Sequence, residues 1–264
     1  MERAIGIFDS GVGGLTVFAA IRRALPDESL IYLGDTARVP YGTKSSETVI
    51  KYSLQCAKFL VERKIKALVV ACNTSSAYSL PILREKNNIP VIGVIEPGAK
   101  KALSATKSKR IGVIGTSATI GSNAYGCLLK EYDAGVSVVS QACPLFVPLV
   151  EEGWLNNEIA KNTAKIYLES FKHENIDTLI LGCTHYPLLK PVIAEVVGSN
   201  VGLIDSAEAV AEELKMKLAE KRLLNKKSGP SAYQLYVTDL PNRFEKIASD
   251  FLGGKIPSVK RIEL

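Results

Sequence analysis

Short runs of consecutive apolar residues recur along the chain, separated by longer amphipathic stretches. IGIF (Ile5–Phe8), LIYL (Leu30–Leu33), the ALVVA run before Cys72 and VIGVI (Val91–Ile95) come first. RIGVIG (Arg110–Gly115), VSVVS (Val136–Ser140), TLILG (Thr178–Gly182) and VGLI (Val201–Ile204) follow. The runs are continuous rather than alternating, and Val, Ile and Leu dominate them. Such runs predict strands buried on both faces. The stretches between them carry helical patterns. In Ser45–Arg63, Ser45 or Ser46 can cap a helix whose apolar stripe is Val49, Ile50, Leu54, Ala57, Phe59 and Leu60. Ala207–Arg222 predicts another, with Val210, Leu214 and Leu218 inward. Strands alternating with helices imply βαβ crossovers and a parallel sheet.

The pattern is also stated twice. Ile5 and Ile111 open matching series at an offset of 106 residues, and Cys72 and Cys183 match at an offset of 111. The expected architecture is α/β, with two pseudo-symmetric, doubly wound parallel-sheet domains and the site between them. Beyond Asp205 the duplication stops. A polar, basic break, NKKSGPS (Asn225–Ser231), precedes a strand in AYQLYVTDL, a helix around Arg243–Phe251 and a strand in SVKRIEL. This tail is expected to return to the first half, so that one domain comprises residues 1–97 with 207–264 and the other residues 98–206.

Ligands of open parallel sheets bind outside the carboxyl ends of the strands. Asp9, Asp35, Cys72, Glu96, Thr116, Cys183 and Asp205 all fall at or just past those ends and are candidates to line one site. The two cysteines stand out because they share one position in the duplication, in ACNTSSA and GCTHYPLL. If the copies face each other, two thiols flank a single bound carbon. That arrangement suits removal of a proton from one face and delivery to the other. Each cysteine precedes an expected helix, whose N-terminal amides lower a thiol pKa from its usual value of about 8.5. His185, two residues after Cys183, can bind substrate or assist proton movement. Asp9 can modulate a thiol or bind an ammonium group, and Glu151 and Glu152 can match it on the Cys183 side.

Other readings of the same residues are weaker. Cys56, Cys127 and Cys143 read as small core residues, and His173, in FKHEN, reads as a surface residue. With two histidines and no Cys-x-x-Cys, no metal site is expected. DSGVGG (Asp9–Gly14) has Thr16 where a dinucleotide fingerprint needs its third glycine, and GTKS (Gly42–Ser45) lacks a complete phosphate loop. No lysine stands at the duplicated strand ends, which argues against pyridoxal chemistry.

Composition narrows the class. At 264 residues with 47% hydrophobic content, the chain can build sizeable cores. No apolar run approaches the roughly 20 residues that cross a bilayer, and Glu2, Arg3 and Asp9 interrupt any leader-like start. Five cysteines without dense spacing fit a reducing compartment. A soluble cytoplasmic protein with no membrane role is expected. The net charge of +6 lies largely in Lys100–Arg110 and Lys215–Lys227. These runs lack the aromatics of a nucleic-acid surface, so no nucleic-acid partner is expected.

From IGIFDSGVGGLTV through YLGDTARVPYGTKS, ACNTSSA, IGVIGTSATI, PLVEEG and GCTHYPLL, the chain resembles the glutamate racemase family of the aspartate/glutamate racemase superfamily. The resemblance covers most of the chain. It implies interconversion of L- and D-glutamate without a cofactor, with D-glutamate used for peptidoglycan, and a homodimer. Carried over by position, Cys72 is the acid/base for D-glutamate and Cys183 the one for L-glutamate, with Asp9, Glu151 and His185 assisting. Asp9, Ser10, Tyr41, Gly42, Asn73, Thr74, Thr116, Thr119, Thr184 and His185 are implied to bind substrate. An aspartate racemase, a two-lobed binding protein for an acidic amino acid and a dithiol redox protein are the alternatives.

Overall fold

The computed structural model describes residues 3–225, 231–252 and 256–264. The basic break expected after Asn225 falls largely at 226–230, outside the described residues. In chain order the elements are β1 (Ile5–Asp9), α1 (Leu15–Ala24), β2 (Leu30–Gly34), α2 (Ser46–Val61), β3 (Ala67–Val70), α3 (Asn73–Lys86) and β4 (Val91–Gly93). Next come α4 (Ile95–Ala105), β5 (Arg110–Gly115), α5 (Ser117–Gly121), α6 (Ala124–Tyr132), β6 (Ser137–Ala142), α7 (Phe146–Glu151), α8 (Glu158–Leu168) and β7 (Thr178–Gly182). The chain continues through α9 (Lys190–Val197), β8 (Gly202–Asp205), α10 (Ser206–Glu220), β9 (Tyr233–Val237), α11 (Pro241–Leu252) and β10 (Val259–Arg261).

The strands form two sheets, ordered β10-β9-β2-β1-β3-β4 and β6-β5-β7-β8. Every pairing is parallel. The duplicated strands therefore take the same order in both halves, with β1 and β5 central. Each sheet is buried on two faces because alternate side chains enter different cores. Ile5, Ile7 and Val69 join one core with α1 and α10, while Phe8, Leu68 and Val70 join another with α2. In the second sheet Leu179 and Leu181 pack with α8 and α9, and Ile111, Val113 and Ile180 pack with α4 and α6.

The tail strand β9 pairs with β2 from Leu30↔Tyr233 to Gly34↔Val237, and β10 pairs with β9. This covers an edge that would otherwise offer unpaired backbone groups. Helix α10 packs on both α1 and α4, and so touches the helical layers of both sheets.

Two expectations need correction. The run at Val136–Ser140 becomes β6, an edge strand with no fully buried residue, because only one neighbour covers it. The run at Val91–Ile95 stops as a strand at Gly93, and Ile95 already begins α4 with Pro97 in its first turn. Proline is tolerated there because the first-turn N–H groups have no intrahelical partner.

Candidate active site

Both cysteines emerge from β3 and β7 at the same point in the sheet order, beside the central strands β1 and β5. Each is 6% exposed. They line one cavity together with Ser10, Tyr41, Gly42, Asn73, Thr74, Thr116, Thr184 and His185. The cavity measures about 20 Å³, room for roughly one water molecule. Two close approaches seal it. A Cβ on Gly42 would lie 2.6 Å from the Thr116 Cβ. A Cβ on Gly13 would overlap Thr184 and His185. The glycines after β1 thus let the other half, rather than a nucleotide phosphate, come close.

Cys72 is the N-cap of α3. Its sulfur accepts from the Ser75 N–H at 3.5 Å, and its thiol points at the Ser10 hydroxyl at 3.6 Å. The Ser75 N–H, and the Ser10 hydroxyl once it turns its proton to the sulfur, favour a thiolate, but burial and the nearby Asp9 carboxylate outweigh them and push the Cys72 thiol up to about 12. The expected lowering by a helix N-terminus is therefore overturned at this cysteine.

Cys183 does not cap an α-helix. Its carbonyl accepts from the Tyr186 N–H at 3.1 Å, and a 3-10 turn over Tyr186–Leu189 follows before α9 begins at Lys190. Pro187 and Pro191 lack the N–H groups that a continuous α-helix from Cys183 would need. Instead His185 Nδ1 lies 3.8 Å from the Cys183 sulfur, and Nε2 lies 3.3 Å from Glu151 Oε1 at the end of α7. Burial opposes a charge on His185. Its hydrogen bonds to Cys183 and Glu151 and the charges of Cys183 and Asp9 prevail and lift it to about 10.

Asp9, Thr119 and Glu151 stand behind the lining residues. Asp9 is fully buried, accepts from the Gly11 N–H at 3.0 Å and receives the Thr184 hydroxyl at 3.5 Å. Thr74, Thr116 and Thr119 form a triangle of hydroxyls with sides of 2.9, 3.0 and 3.0 Å, joining α3 to the N-terminus of α5. Such hydroxyls can turn their protons to an anion. Tyr41 lines the cavity, but its hydroxyl donates to Asp35 on the far side. Asp35 is itself held by Arg38 and Thr238.

Several candidates lie elsewhere. Glu96 faces Lys100 and Arg84 from the first turn of α4, a consequence of the early end of β4. Asp205 caps α10 through the Ala207 N–H and pairs with Lys190 at 2.9 Å. Glu152 lines a neighbouring groove with Glu208 and Arg23. Cys127 is exposed rather than part of the core, because Tyr125 and Leu129 occupy the inward face of α6. Cys56 and Cys143 are buried, and His173 is exposed, as expected. Among the described residues no metal-binding cluster occurs, and no helix is long and apolar enough to cross a membrane.

Sequence reasoning missed Val39, Pro40 and Val147, which also line the cavity, and Tyr125, whose hydroxyl reaches Asn73. Val147 had a signal: it lies one helical turn before Glu151 and so on the same face. Tyr125 had none.

Comparison with known proteins points the same way. The Asp/Glu/Hydantoin racemase family model matches residues 5–214. The glutamate racemase of Geobacter metallireducens is 55% identical over 99% of this chain and 97% of its own. The crystal structure of a glutamate racemase isoform from Bacillus anthracis superposes with a TM-score of 0.96 at 45% identity, covering 99% of this chain and 98% of that one. That of the Francisella tularensis glutamate racemase in complex with D-glutamate gives a TM-score of 0.94 at 41% identity, over 99% and 98% of the two chains.

Proposed function

This chain belongs to the Asp/Glu/Hydantoin racemase family, and from that premise we propose that it interconverts L- and D-glutamate by two-thiol proton transfer at Cα. The family is one of amino-acid racemases, which are isomerases. The observation that carries the proposal is the convergence of Cys72 and Cys183, from equivalent strands of two like sheets, on one small cavity.

In the L-to-D direction the Cys183 thiolate, beside the His185 imidazolium, takes the α-proton. The Cys72 thiol gives its proton to the opposite face. One proton leaves and one arrives, so the amino acid changes only in hand, while Cys183 ends as a thiol and Cys72 as a thiolate. The reverse direction starts from that state. The difficult species carries negative charge at Cα that spreads into the adjacent carboxylate. Ser10, Asn73, Thr74 and Thr184 supply hydrogen-bond donors for that charge, and for the distal carboxylate. No cofactor or metal takes part. A cavity of about 20 Å³ is too small for glutamate, so the halves part to admit it and close to exclude water.

The same reading takes residues 1–97 with 207–264 as one domain and 98–206 as the other, supported by the pairing of β9 with β2. It includes a cytoplasmic homodimer that supplies D-glutamate for peptidoglycan. The test is incubation with L-glutamate in D₂O without added cofactor or metal. Loss of optical rotation together with deuterium at Cα is the expected result. Folded, reduced protein that changes neither would overturn the proposal.

A further inference from the structure

Asn73 follows Cys72 directly, is 3% exposed and lines the cavity. An amide side chain can turn either its oxygen or its NH₂ group toward a ligand, and the two have opposite effects on a carboxylate. The Asn73 oxygen accepts from the Tyr125 hydroxyl at 2.8 Å. Tyr125 lies on α6, which packs on the other sheet, and is 2% exposed in the core with Ile95, Ala99, Ile111 and Leu129. Burial raises its phenol above the ordinary value, so it keeps its proton and remains a donor. Ser206, at the start of α10, lies 3.4 Å from the same phenol oxygen and can donate to it. The hydrogen bonds then run one way, from Ser206 to Tyr125 to Asn73. Among the described residues the Asn73 NH₂ group meets no protein acceptor.

We infer that Tyr125 is a positioning residue: it holds the Asn73 amide with its NH₂ group turned into the cavity, where that group donates to a carboxylate of the substrate. With the amide reversed, the Asn73 oxygen would face the carboxylate and repel it. Because Tyr125 and Asn73 belong to different halves, this orientation is set only when the halves are together. The role rests on the reading of the cavity as a glutamate site.

Steady-state kinetics of Tyr125→Phe, Asn73→Ala and the double variant test it, with both enantiomers as substrate. Tyr125→Phe keeps the ring and removes only the donor. Its KM for glutamate should rise roughly tenfold with kcat nearly unchanged, the signature of lost binding common to ground and transition states. A merely structural role would lower the active fraction, and so kcat, and leave KM alone. The double variant should be no worse than Asn73→Ala, since Tyr125 acts through that amide. An active wild type beside a Tyr125→Phe variant of unchanged KM overturns the role. So does a Tyr125→Phe effect that persists in full on the Asn73→Ala background. Wild-type protein that does not racemise glutamate overturns the reading of the site and this role together.

Discussion

Cys72 and Cys183 occupy matching places after β3 and β7, yet their neighbours carry opposite charge. Cys72 sits at a helix N-terminus and faces Asp9 and Ser10, and burial with the Asp9 carboxylate pushes its thiol up to about 12. Cys183 has no helix to cap. It lies 3.8 Å from a histidine that Glu151 and the thiol itself raise to about 10. At neutral pH the proton therefore stays on Cys72, while Cys183 stands beside the His185 cation. A duplicated fold supplies two equivalent positions. Proton transfer across a carbon needs them to be unequal at any instant, one as acid and the other as base. The inequality comes from residues outside the repeated pattern, chiefly His185 and Glu151 on one side and Asp9 on the other.

The largest effect should come from removing either thiol. Cys72→Ala and Cys183→Ala should each lower racemisation by about 10³-fold or more, the upper range for loss of an acid/base group, with unfolding midpoints little changed. The comparison becomes sharper in D₂O. Cys72→Ala keeps the base for L-glutamate and should exchange its α-hydrogen slowly without inversion, while Cys183→Ala should do so only with D-glutamate. Near-normal racemisation in either variant breaks the two-thiol scheme.

Next in size is His185→Asn, which removes the cation beside Cys183. Turnover should fall by about 10²-fold. In the wild type kcat/KM should decline as pH rises through about 10, where His185 loses its proton, and the variant should lose that limb. Stability carries the same sign. The folded pKa lies above the unfolded value, so the contribution of the charged His185 is complete below about 6.5 and fades between there and about 10. Urea unfolding of the two proteins at pH 6.5 and 10 should show their difference shrinking. A constant difference would mean that His185 acts by packing alone.

Much of this was legible in the chain because it depends on local pattern. Continuous apolar runs marked the strands and put Thr116 at a strand end, the repeat marked both cysteines, and the family resemblance alone supplied Thr74 and Thr119. What was not legible depends on tertiary burial. A helix N-terminus read in isolation lowers a thiol pKa, but the sequence pattern carries no measure of the desolvation that overrides it at Cys72. A cysteine before a turn and one before a helix look alike until the backbone bonds blocked by Pro187 and Pro191 are counted. Glu96 looked like a strand-end carboxylate because the chain gave no sign that β4 would stop at Gly93. Tyr125 was invisible because its partner lies 52 positions away in the other half.

The smallest effect is read at Cys72. Asp9 is the second contributor, after burial, to the raised Cys72 pKa. Asp9→Asn keeps the shape and a polar group beside Gly11 and Thr184 while removing the charge. Burial persists, so the thiol should come only part of the way down toward the ordinary range of a cysteine. Alkylation by iodoacetamide reads the thiolate fraction. At pH 8 the rate at Cys72, followed by peptide mass spectrometry, should rise several-fold in Asp9→Asn, roughly in proportion to the gain in thiolate. The wild-type rate should keep climbing with pH up to about 12. An unchanged rate would assign the whole shift to burial. The contrast between the two cysteines would then rest on His185 and Glu151, with Asp9 serving to orient Thr184 and the turn at Gly11.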